Sequence, residues 1–166
     1  MLLRSPARPR RRLMTAAAVV TLGLAPLTAA AAAGAATPSD SRLEVVRMNP
    51  DPVPAGGQTV VHGFVANNGP DTTASPITMT ILFPVGSYAA EPFFPTDCQP
   101  GMGGHSVTCV FPAGLLPGRS ATALIPANVY AGTPAGTVLT GGRVTVTSPD
   151  DPNPTGHSQP FEILVR

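Results

Sequence analysis

The chain has 166 residues and a formal net charge of +1, with ten basic residues, all of them arginine, and nine acidic residues. This length allows one domain. From Thr37 onward five arginines stand against nine acidic residues, a net charge of about −4. The positive charge therefore belongs to the N-terminal segment, and no nucleic-acid partner is expected.

Residues 1–36 have the order of a signal peptide. Five arginines and no acidic residue occupy the first twelve positions, and a run rich in Ala, Val and Leu follows from Leu13. The run ends in small residues, and we expect cleavage after Ala36, where Gly34 and Ala36 suit a signal peptidase. Arg10-Arg11-Arg12-Leu13-Met14 also resembles a twin-arginine signal, so twin-arginine export and general secretion both stay open.

An uncleaved membrane anchor is the alternative for the same segment. The run from Leu13 to Ala36 is long enough, since a spanning helix takes roughly 20 apolar residues. It is mostly alanine with several threonines and glycines, so its hydrophobicity is low for a permanent span. We therefore expect a secreted protein, free or associated with the cell wall, that meets the membrane only transiently through its signal peptide.

Two cysteines, Cys98 and Cys109, fall in the part expected to be exported. An even pair in an oxidising compartment usually forms a disulfide. Pro100 and several glycines lie between them and can bring the ends of this short loop together. A disulfide is predicted, and the absence of a CxxC spacing argues against a redox or metal role.

The exported part consists of short β-branched or alternating runs separated by Pro, Gly, Asn and Asp. In one run Ile77, Met79 and Ile81 alternate with threonines, and a period of two places these sets on opposite faces of a strand. Seven such runs predict a β-sandwich over residues 43–166, after a flexible lead-in at 37–42. The predicted strands are Leu43–Met48, Gln58–Asn67, Ile77–Phe83, Val107–Phe111, Ser120–Val129, Thr137–Thr147 and Phe161–Val165.

Pro126 falls inside one predicted strand. Proline has no N–H to donate to a neighbouring strand. The strand that contains Pro126 is therefore expected at the edge of a sheet or with a bulge.

Turn motifs follow one another in a distinctive order. They are Asn49-Pro50-Asp51-Pro52-Val53-Pro54-Ala55-Gly56-Gly57, Asn67-Asn68-Gly69-Pro70, the Cys98–Cys109 segment ending in Ser106-Val107-Thr108-Cys109, Leu115-Leu116-Pro117-Gly118, and Asp150-Asp151-Pro152-Asn153-Pro154. From Arg47 to Val165 the chain resembles the bacterial conserved repeat known as domain of unknown function eleven, an immunoglobulin-like module of secreted and surface proteins.

The resemblance implies an all-β fold, an immunoglobulin-like antiparallel sandwich of about seven strands. It implies use as a stalk, spacer or adhesion unit, and it brings no catalytic residues to carry over. The chain holds a single copy, which favours a binder over a tandem stalk.

The tripeptide Gly-His-Ser occurs twice, at residues 104–106 and 156–158. A serine hydrolase elbow needs glycine two residues after the serine, and Thr108 and Pro160 stand there instead. No catalytic residue is expected, and the dispersed histidines predict neither a cofactor nor a metal site. Calcium binding at Asp150 and Asp151 stays open, although Asp-Pro is first of all a turn former.

An interaction surface is a further possibility, with Phe64, Tyr88, Phe93 and Phe94 as its candidate residues. Phe64 shares one strand face with Val60, and Tyr88, Phe93 and Phe94 lie in a Pro-rich connection that can present rings to a ligand or glycan. The alternative is that these residues complete the core.

The predicted function is that of a non-catalytic secreted module, acting as a binder or as a cell-envelope component. Its partner would be an extracellular protein or a cell-wall glycan. The alternative is a small secreted enzyme or enzyme inhibitor whose site the sequence does not reveal.

Overall fold

The computed structural model describes residues 39–153 and 155–166, and the expected signal segment lies outside them. The strands are β1 (Leu43–Val45), β2 (Gln58–Asn67), β3 (Ile77–Leu82), β4 (Ser87–Ala89), β5 (Gln99–Pro100), β6 (Ser106–Phe111), β7 (Ser120–Val129), β8 (Val138–Thr147) and β9 (Ser158–Leu164), with a 3-10 turn at Met102–Gly104. Within these residues, no helix combines the length and the apolar character needed to cross a membrane.

Two antiparallel sheets face each other. Their strand orders are β1-β2-β7-β4 and β5-β6-β3-β8-β9. After β1 the chain crosses from the first sheet to the second. There Val53 forms a parallel bridge with Val165, the residue that follows β9. The predicted antiparallel β-sandwich is confirmed, with nine strands where seven were predicted.

The core lies between the inward faces of the two sheets. In β3, Ile77, Met79 and Ile81 are fully buried while the threonines between them are half-buried, as the alternation predicts. Gly63 of β2 lies so close to the opposite sheet that a Cβ there would overlap Met79 Sδ. At one end, the rings of Phe83 and Phe161 meet edge to face with centroids 6.3 Å apart.

The described part of the expected flexible lead-in, residues 39–42, is hydrogen-bonded to the last residue of β2 and to the loop that follows it. The Asp40 N–H donates to Asp71 Oδ2 at 3.0 Å, and the Arg42 N–H donates to Asn67 Oδ1 at 3.2 Å. This segment therefore leads directly into β1.

Strand β7, which contains Pro126, lies between β2 and β4 rather than at an edge. The Pro126 carbonyl accepts from the Ala90 N–H at 2.8 Å. In an antiparallel strand the N–H and C=O of one residue point to the same side, so the missing N–H of Pro126 faces this neighbour too. β4 ends at Ala89, just before Ala90, the residue opposite Pro126 whose carbonyl would otherwise accept from an N–H at position 126. The expectation of an edge strand or a bulge was wrong. β7 pairs with β2 in continuous register, and β4 on its other side ends before it would need the N–H that Pro126 lacks.

The predicted disulfide between Cys98 and Cys109 is present, and both residues are buried. It joins the segment that enters β5 to the middle of β6, where Gln99 pairs with Thr108. The bond thus holds a two-residue edge strand to its sheet.

Replacing both cysteines by serine is expected to lower the free energy of unfolding by about 3 kcal/mol, because the closed loop restricts the unfolded chain. Urea unfolding of the double variant measures this loss. A Thr108→Ser variant, which alters the same pair of strands without opening the loop, is the control. Equal stability of wild type and the double variant would contradict the prediction.

Candidate binding surface

The outward side of the five-stranded sheet carries a row of hydroxyl groups. Thr80 of β3 lies between Thr108 of β6 and Thr145 of β8, and the row continues to Gln99 and Ser158. Hydroxyl and amide side chains are typical of a sheet surface that faces water. We call this side the threonine face.

The outward side of the four-stranded sheet has a different composition. In β2, Val61 and Val65 are fully buried, whereas Val60 on the outward side is 38% exposed and Phe64 is half-buried. We call the outward apolar residues of this sheet the apolar face. They are Val46, Val60, Phe64, Phe94, Leu124 and Pro126.

Cross-strand pairing makes the apolar face continuous. Val60 lies opposite Pro126, and Leu124 lies opposite Phe94 on the other side of β7. Directly opposite residues have their Cβ atoms about 5 Å apart on the same side of the sheet. Phe94 is 58% exposed, so the face ends in an accessible ring.

The apolar face is also uncharged at its centre. The outward residues of β2 and β7, two strands described in full, include no carboxylate, lysine or arginine. Their one ionisable side chain is that of His62, which lies opposite Leu124. A partner that covers this face therefore need not desolvate a carboxylate or an arginine of these strands.

The structure separates the four residues predicted to form an interaction surface. Phe64 and Phe94 lie on the apolar face, and Tyr88 of β4 lies at its end with its ring centroid 5.4 Å from that of Tyr130. Phe93 is 7% exposed and belongs to the core. Neighbouring residues in extended backbone point to opposite sides, so Phe93 and Phe94 cannot share a surface.

A polar row borders the apolar face at the tyrosine pair. Gln58 Nε2 donates to Asn128 Oδ1 at 3.0 Å, and Asn128 Nδ2 lies 3.4 Å from the Tyr88 hydroxyl. Apolar contact in the middle and hydrogen-bonding groups at the margin are the composition of a protein interface.

Four members of the apolar face were not among the four predicted residues: Val60, which was noted only as sharing a strand face with Phe64, and Val46, Leu124 and Pro126. The alternation within Ser120–Val129 could have identified two of them, because Ala123, Ile125 and Ala127 are all apolar and point inward. The residues that alternate with them, Leu124 and Pro126, must then point outward. Which neighbour would lie beside them depends on the sheet order, which the alternation does not contain.

The two Gly-His-Ser tripeptides have different surroundings. His105 is exposed, whereas His157 is buried with its Nε2 2.9 Å from Asp151 Oδ2. Ser158 Oγ accepts from Arg143 Nη1 at 3.0 Å. The second tripeptide thus takes part in hydrogen bonds that hold β8 to β9.

Asp151 ties the connection between β8 and β9 to β1. Besides its pairing with His157, Asp151 Oδ2 accepts from the Leu43 N–H at 2.6 Å, and Oδ1 accepts from the Asn153 N–H at 3.1 Å. Burial alone would raise the pKa of Asp151, but the hydrogen bonds from His157 and Leu43 favour the carboxylate, and its pKa lies below the usual value.

Asp150 ties the same connection to the loop before β3. Its Oδ2 accepts from the N–H groups of Ala74 and Ser75, both at 2.6 Å, and its Oδ1 accepts from Ser75 Oγ at 2.9 Å. Burial opposes the charged form, yet the Ser75 and Ala74 donors hold the pKa of Asp150 below its usual value.

Both candidate calcium carboxylates are therefore bonded to N–H and hydroxyl donors that fix loops. In residues 39–153 and 155–166, no group of three or more His, Cys, Asp or Glu side chains is arranged to hold a metal ion. The geometry of Asp150 and Asp151 is that of two structural anchors.

No family model matches the chain, and no curated protein matches it.

Proposed function

We propose that the chain is a non-catalytic, secreted immunoglobulin-like module that binds a partner outside the cell or at the cell wall. The observation that carries this proposal is the apolar face, which lies on the outward side of β2 and β7 and includes Val60, Phe64 and Phe94.

The contrast between the two sheets supports the proposal. Both sheets have an inward apolar face. On the outward side of the five-stranded sheet the centre is a row of threonines, and the exposed apolar residues Leu82, Val110, Val138 and Leu164 lie near the strand ends. On the outward side of the four-stranded sheet, valine, phenylalanine and leucine lie at the centre. When a partner covers apolar surface that was in contact with water, the complex is stabilised by about 25 cal/mol per Å² of apolar area buried. Contiguous exposed apolar patches on soluble proteins commonly mark interaction sites.

Two further features support a role outside the cell. The disulfide between Cys98 and Cys109 suits an oxidising compartment, where such bonds form and persist. The order of residues 1–36 predicts export. The resemblance to the bacterial repeat, whose members occur in secreted and surface proteins, supports the same location.

The test is a pull-down with the purified protein against cell-wall fractions and culture supernatant. A Val60→Glu variant places a charge in the middle of the apolar face without entering the core. A Thr147→Glu variant places the same charge on the exposed threonine face and is the matched control.

We expect wild type and Thr147→Glu to retain the same component, and Val60→Glu to retain at least tenfold less of it, because burying an unpaired carboxylate is costly. Retention of no component by the wild type, or equal retention by both glutamate variants, would contradict the proposal. Urea unfolding of each variant confirms that all three are folded.

A further inference from the structure

The apolar face continues over Phe94 into a groove of about 550 Å³ at the open side of the sandwich. The groove lies between β6 and the first half of β7, and its apolar lining includes Phe94, Val110, Phe111 and Leu115. A cleft of this size with apolar walls and few polar groups is typical of a ligand site. Two further observations indicate the kind of ligand.

The first observation is an open backbone edge. Leu124 exchanges two hydrogen bonds with Phe94, N–H to carbonyl in both directions, at 2.8 and 3.1 Å. Alternation along β7 therefore directs the N–H and C=O groups of Thr122 and Ser120 to the same side, into the groove. In the described part of the chain those groups have no backbone partner beyond Phe94.

The second observation is a single charge. Among the described residues that line the groove, Asp97 is the one ionisable residue, and it is exposed. Among the described residues, no donor is hydrogen-bonded to its carboxylate; Gln99 Nε2 donates to the Asp97 backbone carbonyl instead. This carboxylate is free to pair with a positive group on a ligand.

From these features we infer that the groove binds an extended polypeptide segment that adds as a strand to the β7 edge at Ser120–Thr122, with apolar side chains against Phe94 and a basic side chain beside Asp97. The inference rests on the proposed binding function and names the chemistry of its partner. A polypeptide fits because it alone brings a regular row of N–H and C=O groups to match an open strand edge.

The test uses the synthetic peptide acetyl-Thr-Val-Lys-Val-Thr-amide as the probe, titrated into the purified protein while amide resonances are followed by NMR. Two matched peptides replace lysine by glutamate or carry N-methyl groups on both valines. We expect shifts confined to the groove, about fivefold weaker binding of the glutamate peptide, and at least threefold weaker binding of the methylated one.

Two protein variants complete the design. Asp97→Asn is expected to abolish the difference between the lysine and glutamate peptides. Thr122→Pro removes one groove-facing N–H and leaves the β2 pairing intact, since Pro126 occupies the same side of the same strand. Thr122→Ala keeps the N–H and is the control. If Thr122→Pro does not fold, the methylated peptide tests the same strand pairing, because it removes N–H donors of the peptide instead of one of the protein.

Equal affinity for the three peptides, or shifts away from the groove, would overturn the inference. If the groove resonances shift with protein concentration alone, a second copy is the occupant and the inference is also overturned. None of these results affects the pull-down with Val60→Glu, because Val60 lies outside the groove lining. The inference and the proposed function can therefore fail separately.

Discussion

Replacing Asp151 by alanine is expected to lower the free energy of unfolding by about 3 to 5 kcal/mol, because the change breaks a buried pair and leaves its partners without an acceptor. His157 would remain buried without its carboxylate at 2.9 Å, and the Leu43 N–H would lose its acceptor at 2.6 Å. Since Leu43 begins β1, we expect the loss to reach the edge of the four-stranded sheet.

Urea unfolding at pH 7 measures the effect. Asp97→Ala, which removes an exposed carboxylate, is the control and is expected to change stability by less than about 0.5 kcal/mol. A loss below about 1 kcal/mol for Asp151→Ala would show that the hydrogen bonds of this carboxylate do not hold the two segments together.

Replacing Asp150 by asparagine is expected to cost about 2 kcal/mol at pH 7, because its three donors then meet a neutral group instead of a carboxylate. The loss should depend on pH. The pKa of Asp150 is lowered in the folded protein from its ordinary value of 3.8, so the folded state holds fewer protons than the unfolded chain in acid. Its contribution is therefore complete above about pH 5, begins to fall near the ordinary pKa of 3.8, and is lost as the pH falls through the folded-state pKa.

Unfolding free energies of wild type and Asp150→Asn between pH 7 and pH 2 test this. The two curves should run parallel above about pH 5 and approach each other below pH 4, where wild type loses the advantage of its carboxylate. A difference that stays constant down to pH 2 would contradict the assignment of Asp150 as a charged anchor.

The sequence was sufficient to predict seven strands, because each is a β-branched or alternating run bounded by turn residues. In residues 77–81 the alternation also showed which residues point inward. β2 and β7 have the predicted bounds, Gln58–Asn67 and Ser120–Val129. It was not sufficient for β4 and β5, which have three and two residues. Strands so short have no periodicity of their own and exist because a longer neighbour offers hydrogen-bond partners.

The candidate surface was predictable in part for the same reason. The alternation in β2 places Val60 and Phe64 on one side, and the structure confirms this. It cannot show that Phe94 lies beside Leu124, since that contact joins residues thirty positions apart through an isolated bridge. The groove beyond Phe94 depends on where the chain leaves β7 after Phe94, and the alternation contains no signal for that.

The binding role of the apolar face is tested most directly by photocrosslinking from two positions. One variant carries p-benzoylphenylalanine at Val60, and the other carries it at Thr147 on the threonine face. Each is irradiated in the presence of cell-wall fractions and culture supernatant. A crosslinked product from position 60 and none from position 147 is the predicted result; equal crosslinking from both positions, or crosslinking from position 147 alone, would contradict the account.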